Sequence, residues 1–236
     1  FSSCHRSLAV ANRSMLLGAE IQNPVCKEDS IKLTFKATNL DGQPVSVEGN
    51  YKLYPVVGGA KSEEVMKGTP AYTGTFVSNK ETLLPGWTSV PSGEYLLVMS
   101  AKDDQGREVT GEEEVILFSI KDKRPPVDKA IWYYAENTSF DAAHPAVFYF
   151  GTSKKDAYVM MNLFSGNRML ESKVLRLSDS IERFEYPYKE SYGNGLSATF
   201  CFVKDGSVNQ QTVRMTKRLP DKTLTMKWEV FRDKLR

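Results

Sequence analysis

Two histidines and three cysteines are all that 236 residues offer toward soft-metal or thiol chemistry. His5 and His144 have no second ligand at helical or hairpin spacing, and no Cys-x-x-Cys occurs, so a zinc site has no sequence basis. Cys4, Cys26 and Cys201 leave at most one disulfide, with Cys4 and Cys26 the nearer pair, or free thiols; the spacings leave both open. Charge of one sign is also lacking. Thirty-one basic and 29 acidic side chains give a net charge of +2 and are mixed along the chain. A nucleic-acid partner would call for a concentrated basic face, which is absent. No apolar run reaches the roughly 18 residues that cross a bilayer as a helix, so no membrane span is expected. There is no initiator Met at Phe1 and no signal peptide, and both ends read as cuts from a larger protein.

Catalytic patterns are missing in the same way. Gly-x-Ser-x-Gly does not occur, and neither His5 nor His144 has the setting of a general base. Gly58-Gly59 and Gly193-Asn194-Gly195 open no helix, so neither cradles a phosphate. Asp103-Asp104 and Asp141 lack the alternating oxygen ligands of a calcium loop and read as solvated turns. Glu112-Glu113-Glu114 reads as a charged strand edge that discourages sheet-to-sheet pairing. The expectation is a chain that is not an enzyme and holds no cofactor or metal.

What is present is strand pattern. Ile31, Leu33, Phe35 and Ala37 alternate with Lys32, Thr34, Lys36 and Thr38, a period of two. Asn39-Leu40-Asp41-Gly42 supplies a turn, and Val45, Val47, Gly49, Tyr51 and Leu53 resume the alternation. Strands are predicted over 71–78, 93–102 and 112–120, with Asp103-Asp104-Gln105-Gly106 as a hairpin turn. After the charged, proline-bearing run 121–126, seven more are predicted: 130–134, 146–151, 157–164, 169–176, 183–188, 197–204 and 210–216. The best helical stretch, Leu175–Glu185, is a weak one. Strands of this length and spacing predict an all-β fold of two tandem, immunoglobulin-like antiparallel β-sandwiches. The expected domains are 1–122, 127–220 and, over 221–236, the opening strand of a following sandwich. Residues 7–17 read either as the tail of a preceding module or as the first strand of this one. The linker Asp122–Val127 is the natural hinge.

Aromatic residues supply the candidate interaction surface. Neighbours in a strand point to opposite faces, so in runs such as Trp132-Tyr133-Tyr134 and Tyr186-Pro187-Tyr188 some rings face outward while others fill the core. Trp132, Tyr134, Tyr188 and Tyr192 are the residues singled out. Asn12-Arg13-Ser14 and Asn137-Thr138-Ser139 fit a glycosylation pattern that chance often produces.

Several runs resemble a known family. Asn39-Leu-Asp-Gly-Gln-Pro-Val45 followed by Gly49-Asn-Tyr-Lys-Leu-Tyr54 resembles the strand–turn–strand of macroglobulin domains. Pro91-Ser-Gly-Glu-Tyr95 and Asp104-Gln-Gly-Arg107 resemble its later hairpin. Lys222–Arg236 is similar to the opening strand of such a domain in bacterial alpha-2-macroglobulin-like proteins, and Phe150–Tyr158 and Phe184–Tyr192 resemble the same branch. The resemblance covers nearly the whole chain. It implies tandem macroglobulin sandwiches in a scaffold that traps proteases: a protease cuts a bait segment, the molecule rearranges, and in many members a thioester in Cys-Gly-Glu-Gln bonds the attacker. Here the cysteines read Cys4-His5, Cys26-Lys27 and Cys201-Phe202, so none inherits that role. The resemblance therefore implies a scaffold share of the function, a location in the cell envelope or periplasm, lipoprotein-anchored through the parent chain or not, and as partners the neighbouring domains of the parent chain and, through the full-length protein, proteases. The rival reading is a surface adhesion or carbohydrate-binding module that uses the four aromatics.

Overall fold

Period-two alternation becomes strand wherever turn chemistry interrupts it. The computed structural model describes residues 14–58 and 61–218. In the first half the strands are β1 (Met15–Ile21), β2 (Val25–Cys26), β3 (Lys32–Asn39), β4 (Glu48–Pro55), β5 (Tyr72–Val77), β6 (Glu81–Leu83), β7 (Gly93–Lys102) and β8 (Glu108–Phe118). A single helical turn, α1 (Ser62–Val65), follows β4, and a 3-10 turn (Pro85–Ser89) follows β6. The second half carries β9 (Trp132–Asn137), β10 (Ser139–Phe140), β11 (Ala146–Thr152), β12 (Ala157–Ser165), β13 (Arg168–Leu177), β14 (Ser180–Tyr186), β15 (Gly195–Lys204) and β16 (Ser207–Lys217). A 3-10 turn, Glu190–Tyr192, precedes β15.

The fold is all-β and sandwich-like, in keeping with tandem immunoglobulin-like domains. The two halves repeat one topology strand for strand. The first has a three-stranded sheet ordered β1-β3-β6 and a five-stranded sheet ordered β2-β8-β7-β4-β5. The second has β9-β11-β14 and β10-β16-β15-β12-β13, the same orders with eight added to each number. Even the two-residue strands correspond: β2 pairs parallel to the end of β8, and β10 parallel to the end of β16.

Two compact units result. Among the described residues the first comprises those up to Trp132 with 151–155 and 179–181, and the second those of 133–150, 156–178 and from Glu182 on. In the first, Leu33, Phe35 and Ala37 of β3 face Tyr51, Leu53, Leu97 and Met99 of β4 and β7 in one buried core. Phe35 stacks on Phe76 with ring centroids 4.2 Å apart. The 3-10 turn drops Trp87, fully buried, edge-on to Tyr51 at 6.2 Å. β1 also runs close to β8. A Cβ on Gly111 would lie 2.5 Å from the Leu17 carbonyl oxygen, so only glycine lets these backbones approach. In the second unit Phe150 and Phe200 stack at 4.1 Å, and Phe148 stacks on Phe184 at 5.2 Å.

The connector after β8 is tied down at many points. Glu28 accepts from Ser119 Oγ and from Ile120 N at 3.1 Å. Arg124 pairs with Asp179 at 2.6 Å, Ile181 N donates to Lys123 O at 3.0 Å, and Ser153 N donates to Lys129 O at 3.1 Å. Segments 151–155 and 179–181 group with the first unit through these bonds.

Two expectations change. The weak helical stretch 175–185 is the end of β13, a tight turn with Asp179 at positive φ, and the start of β14: its alternation was strand alternation broken by Ser-Asp-Ser. Glu112–Glu114 lies in the middle of β8 rather than at its start. Of the two states the spacings left open for Cys26, the structure shows a buried free thiol, whose Sγ donates to Glu28 Oε2 at 3.4 Å. Cys201 is also free. Cys4, His5, Asn12, Gly59, most of 7–17 and the expected strand at 221–236 lie outside the described residues. Among the described residues no helix is long and apolar enough to cross a membrane.

Candidate functional site

Proline decides where the aromatic cluster begins. Pro187 cannot donate to a ladder, so β14 ends at Tyr186 and the chain turns. Tyr192 N bonds Lys189 O and Gly193 N bonds Glu190 O, both at 3.0 Å, closing the 3-10 turn. Gly193, at φ 57°, then swings the chain into β15. The Tyr192 carbonyl is fixed by the Ser165 hydroxyl at 3.0 Å.

This turn brings Tyr188 and Tyr192 together around Phe140 of β10, which is fully buried. Tyr188 meets Phe140 edge-on at 5.7 Å and Tyr192 lies tilted at 6.4 Å. Each tyrosine carries a cation on its ring: Lys217 Nζ stands 5.2 Å from the Tyr188 centroid and Lys189 Nζ 5.7 Å from that of Tyr192. A hydrogen bond to Tyr188 holds the Lys217 ammonium above its ordinary pKa. Burial pushes the neighbouring Tyr186 phenol up as well. Beside Tyr192 an open groove of about 420 Å³ runs past Ser165, Asn194 and Arg214.

The other two candidates lie elsewhere. Trp132 is 5% exposed and sits edge-on to Phe118 at 5.3 Å in the first unit, so its ring packs rather than faces solvent. Tyr134 lies 6.2 Å from Tyr149, whose hydroxyl donates to Glu136 Oε2 at 2.9 Å. Burial, then the Glu136 carboxylate, raise the Tyr149 pKa. No local pattern marked Phe140, Lys189 or Lys217 as members of the cluster. Phe140 and Lys217 meet only because β10 pairs with β16, across 77 positions that no local spacing reveals.

Two acidic side chains of the sequence-predicted turns, Asp103 and Asp141, are held by hydrogen bonds. The Asp103 carboxylate accepts from Gln105 N, Arg107 N, Arg107 Nε and Ser14 Oγ, each at 2.9 Å. Burial works against its ionisation, yet these bonds hold its pKa at about 2. Asp141 Oδ1 accepts from the His144 ring, from Ala143 N and from His144 N, each at 2.9 Å, and its pKa is lowered. Among the described residues no three His, Cys, Asp or Glu side chains gather as a metal site would need.

No family model matches the chain, and no curated protein does. Its neighbours among solved structures are bacterial alpha-2-macroglobulins and adhesin-type repeats. Native E. coli alpha-2-macroglobulin is similar at 14% identity and TM-score 0.34, over 87% of this chain and 16% of that one. Trypsin-activated E. coli alpha-2-macroglobulin is similar at 15% and 0.34, over 89% and 17%. A tetra-tandem repeat from the extending region of a large adhesion protein is similar at 10% and 0.30, over 87% and 50%. This chain thus spans about a sixth of the alpha-2-macroglobulins. Likenesses this distant carry neither activity nor partner across.

Proposed function

We propose that the chain is a pair of non-catalytic scaffold sandwiches from a bacterial, cell-envelope alpha-2-macroglobulin-like protein that traps proteases. The observation that carries the reading is the exact repetition of one eight-stranded topology in two successive units, the form a tandem-module scaffold takes. The sequence runs at 39–54, 91–107 and 150–158 support it by their resemblance to macroglobulin domains. The chain's share of the function is mechanical: it spaces other parts of the parent and carries rearrangement between them. Partners are then neighbouring domains of the parent and, through the whole protein, proteases. The carbohydrate-binding rival is less well supported, because Trp132 is buried and the Tyr188 and Tyr192 rings each already hold a lysine cation.

Two measurements test this. The isolated chain at equimolar ratio should leave trypsin fully active. The parent protein, isolated from the envelope fraction and treated with trypsin, should retain the protease while the cut falls outside residues 14–218. Inhibition by the isolated chain, or a parent that retains no protease, rejects the proposal.

A further inference from the structure

Apolar side chains left in water one at a time are ordinary, but a contiguous group of them marks a contact surface. Among the described residues ten large apolar side chains are exposed, and six of them, Tyr158, Met160, Met169, Val174, Val203 and Val208, belong to the five-stranded sheet of the second unit. In β12 the alternate residues Val159 and Met161 fill the core, so Tyr158 and Met160 point the other way. In β15 Phe202 is buried and Val203 is 68% exposed. Pairing then gathers five of the six on the outer face. Met160 lies between Cys201 and Val174, Val203 lies opposite Val208, and Tyr158 opposite Arg176. The result is an apolar strip across four strands, about 15 Å long at ordinary strand spacing and two residues wide.

The first unit treats its corresponding face differently. Tyr54 of β4 and Leu96 and Val98 of β7 point outward there, and the β4–β5 connection lays α1 over them, with Val65 and Met66 closing the patch. Farther along β4 the outward residues are polar: Glu48, Asn50 and Lys52. In the second unit Gly166-Asn167 alone joins β12 to β13, so this connection carries no helical turn. Its apolar strip lies at the opposite end of the face and is left bare by the described residues.

Size and charge select the occupant. A stable contact between two copies buries about 800 Å² on each partner, more than five side chains in so small a strip supply. A helix of about three turns spans the same 15 Å, and a helix laid on a sheet buries one apolar stripe, as α1 does. The charged side chains on the outer face are Arg176 and Arg214, with no acid among them. Arg176 is paired with Asp156 at 3.0 Å and stands 5.9 Å from the Tyr158 ring. Arg214 is exposed, has no ion pair among the described residues, and lies about 13 Å along β16 from Gln210 at the strip.

We infer that this strip docks an amphipathic helix of a partner protein, one with an apolar stripe of about three turns and acidic residues beside it. This inference is independent of the proposed function.

Two synthetic peptides of about 14 residues test it on the 236-residue protein. Both carry Leu at helical spacing, one with Glu and the other with Lys at the flanking positions. Fluorescence anisotropy of the Glu peptide should rise to saturation, and the Lys peptide should bind more weakly. Met160→Thr, Val174→Thr and Val203→Thr together, at exposed positions where Thr suits a strand, should weaken binding of the Glu peptide by about tenfold or more and leave the circular dichroism unchanged. Arg214→Gln should narrow the difference between the peptides. No saturable binding, or binding that the triple substitution leaves unchanged, overturns the inference. Equal binding of the two peptides, or a difference that survives Arg214→Gln, overturns the acidic flank. Sedimentation in which the free chain associates, and the triple substitution abolishes that association, overturns the helix in favour of a second copy.

Discussion

Asp103 gives its side chain to the hairpin between β7 and β8 and to Ser14 just before β1. Four donors converge on it, and the pKa falls from the ordinary 3.8 to about 2. A group whose folded pKa is depressed contributes stability above its unfolded pKa and loses that contribution as pH falls through the folded one. The thermal midpoint of the first unit should therefore hold steady from pH 7 to about 5 and fall between about 4 and 2. Asp103→Asn keeps the shape but loses the charge. It should lower the plateau and flatten the acid limb, as circular dichroism melts across that range would record. An acid limb equally steep in the variant would assign the effect to other carboxylates. The residue types of this hairpin were legible, since Asp-Asp-Gln-Gly announces a turn. That Asp103 is inaccessible as a ligand was not, because Ser14, one of its donors, is 89 residues away.

Elements were most legible where alternation was clean and one face was buried. β3, β7, β12 and β15 fall within two residues of their predicted bounds because each places every second side chain in a core. Short elements were not legible. β2, β6 and β10 are two or three residues long and exist because a neighbouring strand end is available to pair with. The 3-10 turn at Pro85–Ser89 follows the demand of Trp87 for a place in the core. β1 was ambiguous because Leu16, Leu17 and Ala19 show no clean period; its position depends on contact with β3 and β8. Gly111 makes that last contact, so Gly111→Val should force β1 off β8. We expect a destabilisation of about 1–3 kcal/mol, read as a lower urea midpoint with an unchanged slope. A neutral result would mean that β1 shifts freely.

At the largest scale the question is whether the sixteen strands of the described residues unfold as one body or two. Each unit has its own aromatic stack, Phe35 on Phe76 in the first and Phe150 on Phe200 in the second, and every ring but that of Phe76 is wholly buried. Removing such a ring costs the transfer free energy and leaves a cavity, about 3–5 kcal/mol together. Small domains unfold cooperatively, and multi-domain chains need not do so in one step. Phe200→Ala should therefore lower one calorimetric transition and leave the other in place, and Phe35→Ala should do the reverse. If either substitution moves a single transition that carries the full enthalpy, the two units share their stability. A scaffold that passes rearrangement along its length would then do so through coupled unfolding rather than through rigid modules.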